Sequence, residues 1–296
     1  MSTTQDLLAP ATSMGAVTLR VADLDGMTAY YRDAVTLSVL AQDAGVVVLG
    51  RGAVPVVILE HASELRHAGP RDAGLFHTAI LFETEADLAT AVYGVASRHP
   101  HSFTGSADHL VSKAFYFEDP EGNGVELYWD RARTEWSWTH GSIDMATLAL
   151  DPNEFLRSSL SEGAVDAAGS RPATVGHVHL SVGDVESAHR FYVDRLGFET
   201  TTRFGSQALF VSAGGYHHHM AMNTWNSAGA GRRAQALGLG LVRIEVPGAD
   251  DLGALGERLA HHGVAVQDDG RIVSFDDPWA NRIEVSVKES GKTRAP

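Results

Sequence analysis

The sequence predicts an α+β fold of four βαβββ modules, and two observations carry that reading. The segment VADLDGMTAYYRDAVTL from Val21 lies over VGDVESAHRFYVDRLGF from Val182, 161 residues further on. FEDPEGNGVEL from Phe117 likewise lies over FDDPWANRIEV from Phe275, at an offset of 158. A chain that repeats itself at two places with nearly one offset is a duplication, and its repeat unit must be read before any single element. The halves run from residue 13 to 130 and from 174 to 288, with residues 131–173 as a connector.

Within each half the order strand, helix, strands occurs twice. Ala16 to Val21 and His177 to Val182 are apolar, β-branched runs that lead through Asp into a helix. Tyr30, Tyr31 and Val35, or Phe191, Tyr192 and Leu196, recur there at helical spacing. Short strands follow at Val46 to Leu49 and Val54 to Glu60, and at Ala208 to Ser212 and His218 to Asn223. A second set opens with strands at Phe76 to Phe82 and Leu239 to Val246, then helices at Ala86 to Ser97 and Asp251 to His261. In the connector, Asp151, Pro152 and Glu154 spell a helix N-terminus, and the Gly/Ala-rich stretch Ser161 to Pro172 reads as a linker.

Composition narrows the chemistry. With 296 residues, 44% of them hydrophobic, the chain can fill two cores. Its 23 basic and 37 acidic residues leave a net charge of −14, which argues against nucleic acid or an anionic membrane as partner. There is no cysteine, so a metal must be held by His, Asp or Glu. The first ten residues lack a signal-peptide pattern and no run approaches a membrane span, so a cytoplasmic protein is expected. Histidine stands out, with 15 copies and three in a row at His217, His218 and His219.

The run HVHLSVGD from His177 into FYVDRLGF from Phe191, with DPEGNGVEL from Asp119 closing a half, resembles the vicinal oxygen chelate superfamily. GGYHHHMAMNTW from Gly214 and the segment Asp108 to Asp130 are similar to its catechol 2,3-dioxygenase-like branch. The resemblance implies that the two modules of each half pair into a barrel-like cup with a divalent metal on its inner face, the ligands coming from first and last strands. In the second half those positions hold His177, His219, Leu241 and Glu284; in the first, Ala16, Ile58, His77 and Glu126. The second cup thus keeps two histidines and a carboxylate, the count of an Fe(II) facial triad, and is the expected metal site. Mn(II) is the substitute ion. Glu284 has an alternative as the ion-pair partner of Arg243 or Arg271, and His77 with Glu126 reads as a relic pair unless Glu60 or His109 joins them.

Strand alternation would put His217 on the face of His219, about 6.6 Å away, as a proton-transfer residue, with His218 turned outward. Asn223 and Trp225 share that parity and are expected to line the substrate cup. The implied activity is extradiol cleavage of a catechol, with a small aromatic diol and O2 as partners and room for a homo-oligomer. Two departures stand: Leu241 occupies the usual position of the second histidine, and the strand from Arg271 to Phe275 lacks the tyrosine that ordinarily precedes the glutamate strand. A glyoxalase I-like lyase would need a fourth ligand; a metal-free protein that sequesters aromatic drugs would need only the cups.

Overall fold

In the computed structural model, residues 7–139, 142–161, 163 and 169–288 are described; half of the linker stretch Ser161 to Pro172 falls outside them. Four modules are present: Val17–His61, Gly74–Asp130, Ala173–Asn223 and Gly238–Val287. In each, the first strand pairs in parallel with the last. In modules one and three the entry helix is capped by an aspartate, Asp23 or Asp184, and widens into a π-helical turn at Tyr30–Ala34 or Arg190–Arg195. The connector helix, Pro152–Ser159, starts where the sequence places it, with Asp151 accepting from the Asn153 and Glu154 N–H groups.

The modules do not pair within halves. Module two joins module three through their first strands, Gly74–Phe82 antiparallel to Ala173–Ser181, and module one joins module four through Val17–Val21 and Gly238–Val246. Two nine-stranded sheets result, each built from both halves of the chain. This corrects the expectation of one cup per half. The apolar pattern of a first strand fits either partner; the choice is made by the packing of whole modules. Val17 and Leu19 of one sheet and Val178 and Leu180 of the other belong to the same continuous core, together with helix residues such as Leu88, Phe191 and Leu255.

What ties the two modules of a half together is the repeated DP turn. Asp119 accepts the Glu121 and Asn123 N–H groups with one oxygen and the Tyr31 hydroxyl, 3.0 Å away, with the other. Asp277 repeats this with the Trp279 and Asn281 N–H groups and the Tyr192 hydroxyl at 2.9 Å. A tyrosine from the helix of one module thus clasps the terminal turn of the next, in the other sheet. Burial pushes the Asp119 carboxyl up to about 6 against these hydrogen bonds.

The fourth residue of the turn differs between the two. Gly122 takes a φ of +83°, whereas Ala280 holds the equivalent position at +65°, where a Cβ is crowded. Ala280→Gly should therefore stabilise the protein by about 0.5–1 kcal/mol, the left-handed strain removed less the entropy glycine adds to the unfolded chain. Urea unfolding measures this, and a midpoint lower than wild type would contradict it.

Candidate metal centre

Three donors converge on the inner face of the sheet formed by modules two and three. Glu126, Ala79 and His177 lie abreast on adjacent strands, and His77 sits two residues along from Ala79, opposite His179. The register of His177 depends on a bulge: Val175 faces Ile80 and His177 faces Ala79, leaving Gly176 as the extra residue. Only glycine fits there, because a Cβ would stand 1.6 Å from the Tyr128 hydroxyl. Ala79 contributes a methyl group alone between Glu126 and His177, leaving the space into which their side chains turn.

His77 Nε2 lies 2.9 Å and His177 Nε2 3.1 Å from the same oxygen, Oε2 of Glu126, and the two imidazole nitrogens are 3.4 Å apart. All three residues are buried, and they are the one such group of ligand-type side chains among the described residues. Burial pushes the His177 pKa down to about 4, against the opposing pull of Glu126. For Glu126, burial works against ionisation, but His177 and His77 outweigh it and hold its pKa well below the carboxylate range. A carboxylate and unprotonated imidazole nitrogens are the forms in which such side chains bind a cation.

The donors open onto a cavity of about 950 Å³. Phe76, Phe210, Trp225 and Tyr116 form much of its wall. Tyr116 stands directly opposite Glu126 on the neighbouring strand. His109 Nδ1 donates to the Ala146 carbonyl at 2.8 Å, so its Nε2 accepts from the Tyr116 hydroxyl at 2.7 Å. Burial, with the Glu126 charge, holds the Tyr116 pKa well above 10, so its proton stays in place.

The expected trio of His177, His219 and Glu284 is not brought together. Glu284 belongs to the other sheet and pairs with Arg243 at 3.0 Å, the alternative its sequence context offered. His219 Nδ1 accepts from the Ala213 N–H, and its ring packs on Tyr216 and Phe198. The alternation argument fails because the strand begins at Met220, so His217 to His219 precede it in irregular backbone. His218, expected to face outward, lines the cavity with its ring centroid 4.0 Å from that of His177. His217 lies behind it, bonded to His218 and Asp130. Asn223 is fully buried, donating to His179 Nε2 and accepting from the Trp225 N–H, while Trp225 itself reaches the cavity.

His77 and Glu126 were visible in the sequence as the counterparts of Leu241 and Glu284; the pairing of modules was not. Tyr116 was the available signal. It precedes the Glu126 strand just where Arg271 to Phe275 has no tyrosine, so module two carries both features that module four lacks.

Duplicated modules with metal-type donors on first and last strands define a class, and the family comparison agrees with it. The model described as "Glyoxalase/Bleomycin resistance protein/Dioxygenase superfamily" matches residues 13–127 and 174–285, and the chain belongs to that superfamily. Within it, the Catechol-2,3-dioxygenase of Bacillus subtilis (strain 168) is 32% identical over 288 residues, 90% of this chain and 94% of that protein. A crystal structure from Bacillus subtilis subsp. subtilis strain 168, provisionally described as a dioxygenase, superposes with a TM-score of 0.64 at 15% identity, covering 94% of this chain and 86% of that one. Glyoxalase I from Zea mays gives 0.57 at 16%, covering 94% and 92%. These likenesses establish the two-domain α+β fold. No helix among the described residues is long and apolar enough to cross a membrane.

The buried histidines set an acid limit on stability. Burial, with His217, Arg133 and His177 adding to it, pushes the His219 pKa down to about 3. An unfolded histidine titrates near ~6.5, so between those values the unfolded chain holds a proton that the folded one does not. The contribution is complete above about pH 6.5 and is lost as pH falls toward 3. Unfolding free energy should therefore decline from pH 7 to pH 4, and His219→Phe should make that decline shallower. An unchanged slope in the variant would show that His219 is not among the groups responsible.

Proposed function

We propose that this protein is an Fe(II)-dependent extradiol dioxygenase that opens a catechol-type ring, with His77, Glu126 and His177 as its metal ligands. The observation that carries the reading is the convergence of two imidazole nitrogens on one buried carboxylate oxygen at the wall of an aromatic-lined cavity. That donor set is the two-histidine, one-carboxylate combination suited to Fe(II), with Mn(II) as the substitute, and it leaves coordination positions open. The 32% identity to a Catechol-2,3-dioxygenase supports the same assignment. Bound iron would supply dioxygen activation and hold the diol oxygens.

The remaining work falls to side chains of the cavity wall. The Tyr116 hydroxyl donates its hydrogen bond to His109 Nε2, so its oxygen keeps lone pairs with which it can accept a hydrogen bond from a substrate hydroxyl. His218 is the proton-transfer residue in this reading: it lines the cavity beside His177, in the role the sequence pattern assigned to His217. Phe76, Phe210 and Trp225 exclude water and sandwich an aromatic ring. A glyoxalase-type lyase would take four protein ligands, and the described residues gather three donors.

Anaerobic purification with added Fe(II), metal analysis and oxygen uptake on a panel of catechols test the proposal. The wild type should bind one iron and form a yellow ring-opened product from a catechol. His77→Ala, Glu126→Ala and His177→Ala should each lose iron and turnover, because two remaining ligands hold the ion weakly. Glu284→Gln should retain both. Iron that survives His77→Ala and disappears with Glu284→Gln would return the metal to the other sheet.

A further inference from the structure

His218 does not stand alone at the cavity. Its Nδ1 is 2.8 Å from His217 Nδ1, and His217 Nε2 is 3.0 Å from Asp130 Oδ1. The other carboxylate oxygen of Asp130 accepts the Tyr216 hydroxyl at 2.7 Å, and Tyr216 Oη is 2.8 Å from Tyr128 Oη. Each side chain has a fixed supply of protons, so this chain can be solved for direction. An ionised carboxylate only accepts, and a neutral imidazole carries one N–H. The proton of His217 therefore sits on Nε2, from which Asp130 accepts a hydrogen bond. His217 Nδ1 is then a bare lone pair, and the only way it can bond His218 Nδ1 is by accepting from it. With its proton on Nδ1, His218 has a bare Nε2, which makes no hydrogen bond among the described residues, on a ring that lines the cavity.

We propose that Asp130 and His217 are positioning residues that fix the tautomer of His218, so that its Nε2 meets the cavity as a lone pair and not as an N–H. The arrangement differs from a single carboxylate–histidine pair in that two rings in series transmit the proton placement from Asp130 to the cavity. Its consequence for turnover rests on the reading of His218 given above: only a bare Nε2 can accept the proton of a substrate hydroxyl. The tautomer itself rests on the hydrogen-bond geometry alone.

Asparagine at position 130 is the informative change because it keeps the shape and alters the proton count. The Tyr128 hydroxyl has no acceptor among the described residues other than Tyr216 Oη and so donates to it, and the Tyr216 hydroxyl must then find its own acceptor at position 130, which holds the amide oxygen toward Tyr216 and turns the amide N–H toward His217 Nε2. His217 must then carry its proton on Nδ1 and donate to His218 Nδ1, and His218 Nε2 becomes protonated. Nitrogen-15 histidine NMR of the full-length protein without added metal, near neutral pH, reads this directly. In the wild type His217 Nε2 and His218 Nδ1 should be the protonated nitrogens; in Asp130→Asn both rings should show the opposite pattern. Adding Tyr216→Phe frees the amide to rotate and should restore the wild-type tautomers, a rescue that a general loss of structure would not give.

With iron and a catechol, Asp130→Asn should lower kcat by about 10² to 10⁴, the range for losing a general acid or base, with KM little changed and recovery in the double variant. A wild-type spectrum with His218 Nε2 protonated, or with both nitrogens of His217 protonated, overturns the proposal on its own, whatever the variants do. An Asp130→Asn protein that keeps the wild-type tautomers overturns it as well, whereas inverted tautomers with full kcat keep the relay and overturn the reading of His218 as the proton-transfer residue. A wild type with the expected tautomers that consumes oxygen with no catechol keeps the tautomer relay and overturns the dioxygenase reading instead.

Discussion

The antiparallel pairing of Gly74–Phe82 with Ala173–Ser181 is the constraint on which the site depends. It places His77 and Ala79 of one half against His179 and His177 of the other. Glu126 enters the same row through the parallel pairing of its strand with Gly74–Phe82. A shift of one residue would turn every side chain of a strand to the opposite face, so the register is specified twice: by the apolar residues on the core side and by the bulge at Gly176 on the cavity side. The tight seat of Gly176 against Tyr128 locks that bulge, and Tyr128 in turn touches the hydroxyl that holds Asp130. Backbone register and the hydrogen-bond chain behind His218 are thus mechanically continuous.

Much of this was legible in the chain. The offset between Val21 and Val182 revealed the modules, the helical spacing of Tyr31 and Tyr192 revealed their buried faces, and Asp151 marked the connector helix. These are local signals with local causes. Which first strands pair is not local, because a run such as Val17 to Val21 presents the same apolar face to either partner. The candidate donor positions on each module were therefore readable, while their grouping into one cluster was not. The triple histidine failed for a different reason: alternation holds only inside a strand, and the irregular backbone before Met220 breaks the parity.

The two sheets show what the same scaffold does with and without a cluster of donor side chains. In the modules two and three sheet, the polar cluster is buried and mutually bonded around Glu126. In the modules one and four sheet, Ala16 and Leu241 hold the positions of the two histidines, and the remaining Glu284 turns to Arg243 in a partly exposed pair. Such a pair contributes on the order of 0–1 kcal/mol, so it is a way of satisfying a leftover carboxylate and not a pillar of the fold. The DP turns, in contrast, are equivalent in both halves, because the Tyr31 and Tyr192 clasps serve the joining of modules irrespective of metal.

Viewed as symmetry, the cross-pairing makes this polypeptide a domain-swapped homodimer fused into one chain. Two copies of a two-module protein that exchanged modules would form two equivalent sites, each shared between subunits and related by a twofold axis. Joining the copies through the connector removes any dependence on protein concentration for assembling the shared site, and it also removes the requirement that the two sites be identical. Each can then change independently. One sheet carries two histidines and a carboxylate at the equivalent positions; the other carries alanine, leucine and a glutamate paired with arginine.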